Sequence, residues 1–508
     1  MVQLPSLPYR DQVQDHRICG ETSHHTSSCS TLTPRESLQT PYLIRDPDDE
    51  IADVNTEKSV VDEAMATIVK YLRHDNPSRG VSCNLLDPFN TLCESPERLR
   101  QLLRHPSAQA VGEPLFRIDE RNDLLLFQNL YVDGGAAWSL ANKTTFHSTS
   151  LLMALVVNGY QPNFETIYHR GQLLRSLNLD LSHSGGNAPS LQTVIAILML
   201  ISYEYRVRDT HFPTTVATHI KGLQSMIHQW NSATNGYTKA RINLIQRALF
   251  WQDITCSLAT GTPRLLKFDN PDVFAHLREN RTYRSYFVLP SGFASYTDRW
   301  PATSRIVFQD LHALCHLVVE MHEATSDDLD GDDLSTALSS ICLMEKCDDE
   351  GYPLRNSQAN LEIRLVDLLS EKSMCGTRKE EDLIYRACLF AAYLCTYRLS
   401  VGVWAGCFSP EMCTIKILDC VTRFMARISP WTVAPDISFW LLYVAGGLTK
   451  NEVNLDRAAQ LMQRYRCFYP AGYDLDWEVV EMRLKKFVWC ERVMKEPFYA
   501  FWERCQVS

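Results

Sequence analysis

From Val60 onward, apolar residues return at helical spacing: Val60, Val61, Ala64, Met65, Ile68, Val69 and Leu72 fall on one side of a 3.6-residue period. A second helix is expected from Pro96 to about His105, because Ser95 can cap the free amides of a first turn and proline is tolerated as its first residue. Past a short linker around Pro106 to Pro114, amphipathic stretches succeed one another almost to the end of the chain. Phe164, Ile167, Tyr168, Gly171, Leu174 and Leu177 make one stripe; Val216, Ile220, Leu223, Ile227 and Trp230 make another, each leaving a wet face opposite. The segment from about 240 to 259 is apolar on two sides, with Ile242, Ile245, Leu249 and Cys256 on one and Leu244, Ala248, Trp251 and Leu258 on the other. A helix without a wet face belongs near the centre of a domain, and this one has a stop signal in Gly261 with Pro263 two residues on. Further helices are expected over 304–323, 360–371, 380–400, 410–428, 436–447, 453–466 and 476–495. Strand signals are few and no repeat at a solenoid period is present, so the expected fold is all-α, a globular bundle of ten or more helices.

Residues 1–50 depart from this pattern. Rich in Ser, Thr, Pro, His and Asp and without periodicity, they are read as a disordered leader, 51–114 as a helical linker region, and 115–503 as one helical domain. The formal charge of −10 argues against attraction of the whole molecule to phosphate or anionic lipid. Most of that charge sits in one window, 326–350, which holds nine acidic residues and one basic one and is read as a solvated acidic loop. The longest unbroken apolar run, Ala387 to Cys395, is nine residues long, against the roughly 20 a membrane-spanning helix needs. The first ten residues show no secretory signal, and the seventeen cysteines are scattered without a CxxC pair, so an intracellular chain with reduced thiols is expected.

Two clusters carry candidate chemistry. Asp330, Gly331, Asp332 and Asp333 match the Asp-x-Asp-Asp acid of terpene cyclases, but proton donation to an alkene needs a carboxyl held neutral in an apolar cavity, and this tetrad sits beside Asp327 and Asp328 in a polar loop. An EF-hand reading fails as well, because Ala337 would stand where the bidentate glutamate is required. Crowded loop aspartates also do not supply the fixed carboxylates of a Mg²⁺ and diphosphate site. His312, His316 and Glu320 recur every four residues on one expected helix, a plausible metal-ligand set, although Phe308 and Val319 on the same flank point to a packing face. No GxSxG elbow, Walker loop or GxGxxG occurs. Catalytic, metal, DNA-binding and cofactor assignments are therefore all none.

The most informative stretch runs from Val216 to Leu266. HIKGLQSMI at His219 to Ile227 is followed, after a loop holding Asn235 and Gly236, by RALFWQDITCSLATGTPRLL from Arg247 to Leu266. This resembles the fungal-specific transcription factor domain, the helical regulatory region of the binuclear zinc-cluster activators. His219, Gly222, Trp251, Asp253, Gly261 and Pro263 fit that family's order of a His-x-x-Gly helix, a helix with Trp and Asp near its centre, and a small-Gly-x-Pro ending. Leu198 to Glu204, WLLYVAGGLT at Trp440 to Thr449, and Trp477 and Trp502 extend the resemblance over about 115–503. The motif residues read as structural: Gly222 would admit a close helix, Trp251 would fill the core, and a buried Asp253 would need a donor from Arg247 or Arg264.

The resemblance implies a nuclear transcription regulator of metabolic or secondary-metabolite genes, working through protein partners such as a DNA-binding transcription factor or coactivator and in a possible homodimer. The zinc-cluster module departs from the pattern: Cys19, Cys29, Cys83 and Cys93 alone precede Cys256, whereas two zinc ions need six closely spaced cysteines. No direct sequence-specific DNA binding by this chain and no membrane association are expected. The reading from a different class is a helical metal-dependent or terpene-cyclase-like enzyme using the acidic window or the His312 helix.

Overall fold

The computed structural model describes Arg98, Gln101, Leu102 and His105 and, from Lys143 to Val507, all residues except 184–188, 208–211, 233–238, 267–272, 297–299, 327–353, 372–378, 401–406, 428–434 and 469–475. The leader, the helix expected over 60–72 and the tetrad in the acidic window therefore lie outside the described residues, as do the side chains of Trp230, Ile242, Leu244, Ile245 and Arg247. Arg98, Gln101 and Leu102, inside the helix expected over 96–105, are helical.

Among the residues described from Lys143 on, fourteen α-helices follow one another: α1 Lys143–Val157, α2 Phe164–His183, α3 Leu191–Val207, α4 Phe212–Ser232, α5 Lys239–Thr260, α6 Val273–Glu279, α7 Ala302–Ser326, α8 Leu354–Ser370, α9 Lys379–Ser400, α10 Phe408–Arg427, α11 Pro435–Gly447, α12 Glu452–Phe468, α13 Trp477–Leu484 and α14 Glu491–Val507. Two short 3₁₀ turns, Arg284–Tyr286 and Ser291–Phe293, join α6 to α7, and no β-strand occurs among the described residues. The all-α expectation is met.

Packing follows chain order. Helix α1 lies against α2 and α3, α3 against α4 and α5, and α5 reaches α8 and α10. Helices α9 and α10 pack along their lengths, and α11 then contacts α12 and α14. One continuous apolar core runs from Leu102 and α1 through to Cys505 in α14. The α4 stripe is buried as its spacing requires, at Val216, Ile220, Leu223 and Ile227. Helix α5 is enclosed all round from Trp251 to Leu258, as two apolar sides demand.

Two expectations change, and one helix was not anticipated. The α2 stripe is rotated: Phe164 is 85% exposed and Ile167 62%, with Tyr168 also outward, while Thr166, His169, Leu173 and Leu177 face inward. Polar pairing turns this end of the helix, since His147 Nδ1 of α1 meets His169 Nδ1 of α2 at 3.0 Å and Arg98 forks Glu165 at 2.7 and 2.8 Å. The helix expected over 476–495 is two helices, broken at Lys485 to Cys490. There Phe487 stacks on Trp440 and the Trp440 indole N–H donates to the Val488 carbonyl at 3.3 Å, so the break carries 487–490 into the core. Helix α1 had no periodicity to announce it, because its buried run Thr144 to Val156 includes six polar residues, Thr144, Thr145, His147, Ser148, Thr149 and Ser150.

Candidate functional site

The C-terminal end of α5 and the turn after it form the best-defined polar structure among the described residues. Asp253 is 2% exposed, and its carboxylate accepts the backbone N–H of Leu265 at 3.0 and 3.1 Å and that of Leu266 at 2.9 Å. Four residues on, and so on the same helix face, the Ser257 hydroxyl donates to the Thr262 carbonyl. Gly261 makes the reversal at φ 70°, a backbone conformation that a side chain resists, and its N–H closes on the Ser257 carbonyl at 2.8 Å. Two side chains one turn apart thus clamp the segment 262–266 back along its own helix. Burial pushes the Asp253 carboxyl above its ordinary pKa, and the Leu265 and Leu266 amides, then the Arg264 charge, pull it back.

Of the two arginines expected to pair with Asp253, Arg264 is corrected, and the Arg247 side chain lies outside the described residues. Arg264 forks Asp367 of α8 instead, at 2.8 and 3.0 Å, and so carries the clamp on to the next helix. Gly222 is corrected too, because a Cβ there would meet nothing within 4 Å among the described residues. The close approach occurs at Gly446 and Gly447, where a Cβ would collide with the rings of Phe501 and Phe498 respectively. Trp251 fills the core as expected, and Glu204 is buried with Arg170 at 2.7 Å. His219 Nε2 is buried without a hydrogen-bond partner among the described residues, and burial, then the Arg170 charge, lowers its pKa. Trp477, Tyr499 and Trp502 gather at the C-terminal end, with ring centroids 5.3 to 6.1 Å apart.

The same end of α5 forms one wall of a cleft of about 330 Å³. Leu258, Ala259, Thr260 and Gly261 line it from α5, Asp382, Leu383, Arg386 and Phe390 from α9, and Lys416, Asp419, Cys420 and Arg423 from α10. The α10 residues recur at intervals of three, one and three, the spacing that places them on one helix face. Asp419 is held by Arg457 at 2.7 Å. Arg386 donates to the Leu369 carbonyl at 3.3 Å, and neither it, Lys416 nor Arg423 has a carboxylate partner among the described residues. The Cys420 thiol is half-buried and pushed up to about 11 by burial, against the pull of the Arg386, Arg423 and Lys416 charges.

The His312 helix, α7, does not gather a ligand set. His312 Nδ1 meets the Tyr286 carbonyl at 3.0 Å, His316 stacks on the Tyr286 ring, and Glu320 is exposed. Among the described residues no three His, Cys, Asp or Glu side chains are placed to hold a metal ion. Nor is any helix among them long and apolar enough to cross a membrane. Periodicity passed over one buried ionic centre, Asp310 of α7, which is fully enclosed and accepts from both Arg278 of α6 and Arg364 of α8. The signal was faint: one aspartate among apolar neighbours, with partners 32 and 54 residues away.

A family model described as the fungal specific transcription factor domain covers residues 136–451, more than half of the chain. No curated protein and no solved structure matches.

Proposed function

Because the chain belongs to the fungal-specific transcription factor domain family, we propose that it regulates transcription in the nucleus, acting on metabolic or secondary-metabolite genes. The observation that carries the reading is the family match itself, which spans α1 to α11 and takes in the α5 clamp. The domain acts by contact with other proteins, a DNA-binding transcription factor or a coactivator, and as a homodimer, while the DNA is read by a partner. Charge supports this division of labour: specific DNA binders neutralise several phosphates with clustered Lys and Arg, and this chain carries a formal −10. We read the protein as a regulator rather than an enzyme, as membership of this family implies.

The test is to fuse the full chain to an unrelated sequence-specific DNA-binding domain and measure a reporter bearing its sites. Transcription should rise or fall several-fold against the DNA-binding domain alone. An unchanged reporter, with the fusion shown to be folded and nuclear, refutes the reading.

A further inference from the structure

We propose that the cleft between the end of α5 and helices α9 and α10 binds a small organic anion, its acid group against Arg386, Lys416 and Arg423 and its apolar body on Leu258, Leu383 and Phe390. Three features converge there. A volume of about 330 Å³ falls within the range of ligand pockets, roughly 300–1,000 Å³. The floor is apolar, since Leu258 and Phe390 belong to the buried core. Its rim carries three cations in a chain whose net charge is −10, and of the two lining carboxylates Asp419 is already neutralised by Arg457.

The lining carries three cations against the two carboxylates Asp382 and Asp419, one net positive charge, and Arg457 adds a further cation at Asp419, so an anion seated there is attracted through a medium less polar than water. Arginine and lysine on an open surface point into solvent. Here Arg386 of α9 and Lys416 of α10 are half-buried beside one apolar floor, with the exposed Arg423 at its edge, an arrangement that fixes a ligand's orientation by a few polar groups and its affinity by burial. Phosphate esters and carboxylates share the required chemistry. The occupied site bridges α9, α10 and Thr260 and Gly261 of the family motif, so occupancy would tie the α5 clamp to the α9 and α10 pair.

The experiment is calorimetric titration of the full chain with phenyl phosphate, with phenylacetate, with inorganic phosphate and with the neutral benzamide. One site per chain is expected for phenyl phosphate or phenylacetate, and whichever binds more tightly identifies the acid group. Inorganic phosphate and benzamide should each bind at least about tenfold more weakly, each lacking one half of the recognition. The double variant Lys416→Met/Arg423→Met should weaken binding by about tenfold or more while melting as the parent does. A measurement on the unaltered chain stands beside it: saturating phenyl phosphate should slow alkylation of Cys420, followed by peptide mass spectrometry. No saturable binding by either aromatic acid, equal binding by benzamide, equal affinity in the double variant, or unprotected Cys420 would each overturn the proposal.

Discussion

The two stretches that carry most of the family resemblance are built on opposite physics. At the end of α5 the chain reverses through polar bonds: Asp253 and Ser257 grip backbone groups of 262–266, and the turn itself, Gly261 to Pro263, stays exposed. At α11 and α14 the chain is held by shape, with Gly446 and Gly447 letting the Phe501 and Phe498 rings lie against the backbone and Trp440 stacked on Phe487 and meeting Phe293 edge to face. Polar bonds leave a wet, adjustable end beside a cleft, whereas interlocked rings leave no room for anything else. A family motif is therefore no guide to function by itself; what matters is whether its neighbourhood is open.

The largest expected effect falls on the interlocked side. Trp440→Ala removes a fully buried indole and leaves its cavity among aromatic rings, so the domain should lose about 3–5 kcal/mol in denaturant unfolding. A loss below about 1 kcal/mol would show that this region relaxes as readily as a surface loop, and the contrast would fail. Gly446→Val comes next, at about 1–3 kcal/mol, because the added methyls must displace Phe501. At Asp253 the expected pattern is different in kind. Asp253→Ala strands the Leu265 and Leu266 amides and should cost about 1–3 kcal/mol, while Asp253→Asn keeps one acceptor oxygen and should recover part of that loss. Equal losses in both variants would mean that volume, not hydrogen bonding, holds the turn.

Helix existence was readable because most helices have one wet face, and the α4 stripe was readable at Val216, Ile220, Leu223 and Ile227. Legibility failed wherever polar groups were satisfied inside. Helix α1 buries hydroxyls and an imidazole beside leucines, so its periodicity vanishes, and α2 turns its aromatic stripe outward because His169 is claimed by His147. Trp251 was readable as core, and Asp253 was readable as buried and in need of a donor. Its donors were not, since backbone amides 12 and 13 residues away leave no trace in residue identity. The cleft was equally silent: Arg386 is far in sequence from Lys416 and Arg423, and only the packing of α9 on α10 unites them.

The smallest predicted effects are in pH dependence. Burial lowers the pKa of His219, His312 and His316 below the ordinary 6.5, so the unfolded chain takes up their protons first. The stability contributed by the neutral rings is complete above about pH 6.5 and is lost as pH falls below it. His312→Gln should flatten part of that acid limb in chemical denaturation at several pH values, and an unchanged slope would show that His312 does not titrate on unfolding. Asp253 has the opposite sign. Its carboxyl holds its proton more tightly in the folded chain, so stability falls as pH rises above the unfolded value of 3.8, and Asp253→Asn should remove that slope.

The account stands or falls on whether this chain reads DNA by itself. The direct measurement is a mobility-shift selection of the purified full chain against a random duplex library at physiological salt. The account predicts no recurring motif at sub-micromolar protein, and one appearing only when a DNA-binding partner is added. Enrichment of a single motif by the chain alone would contradict it.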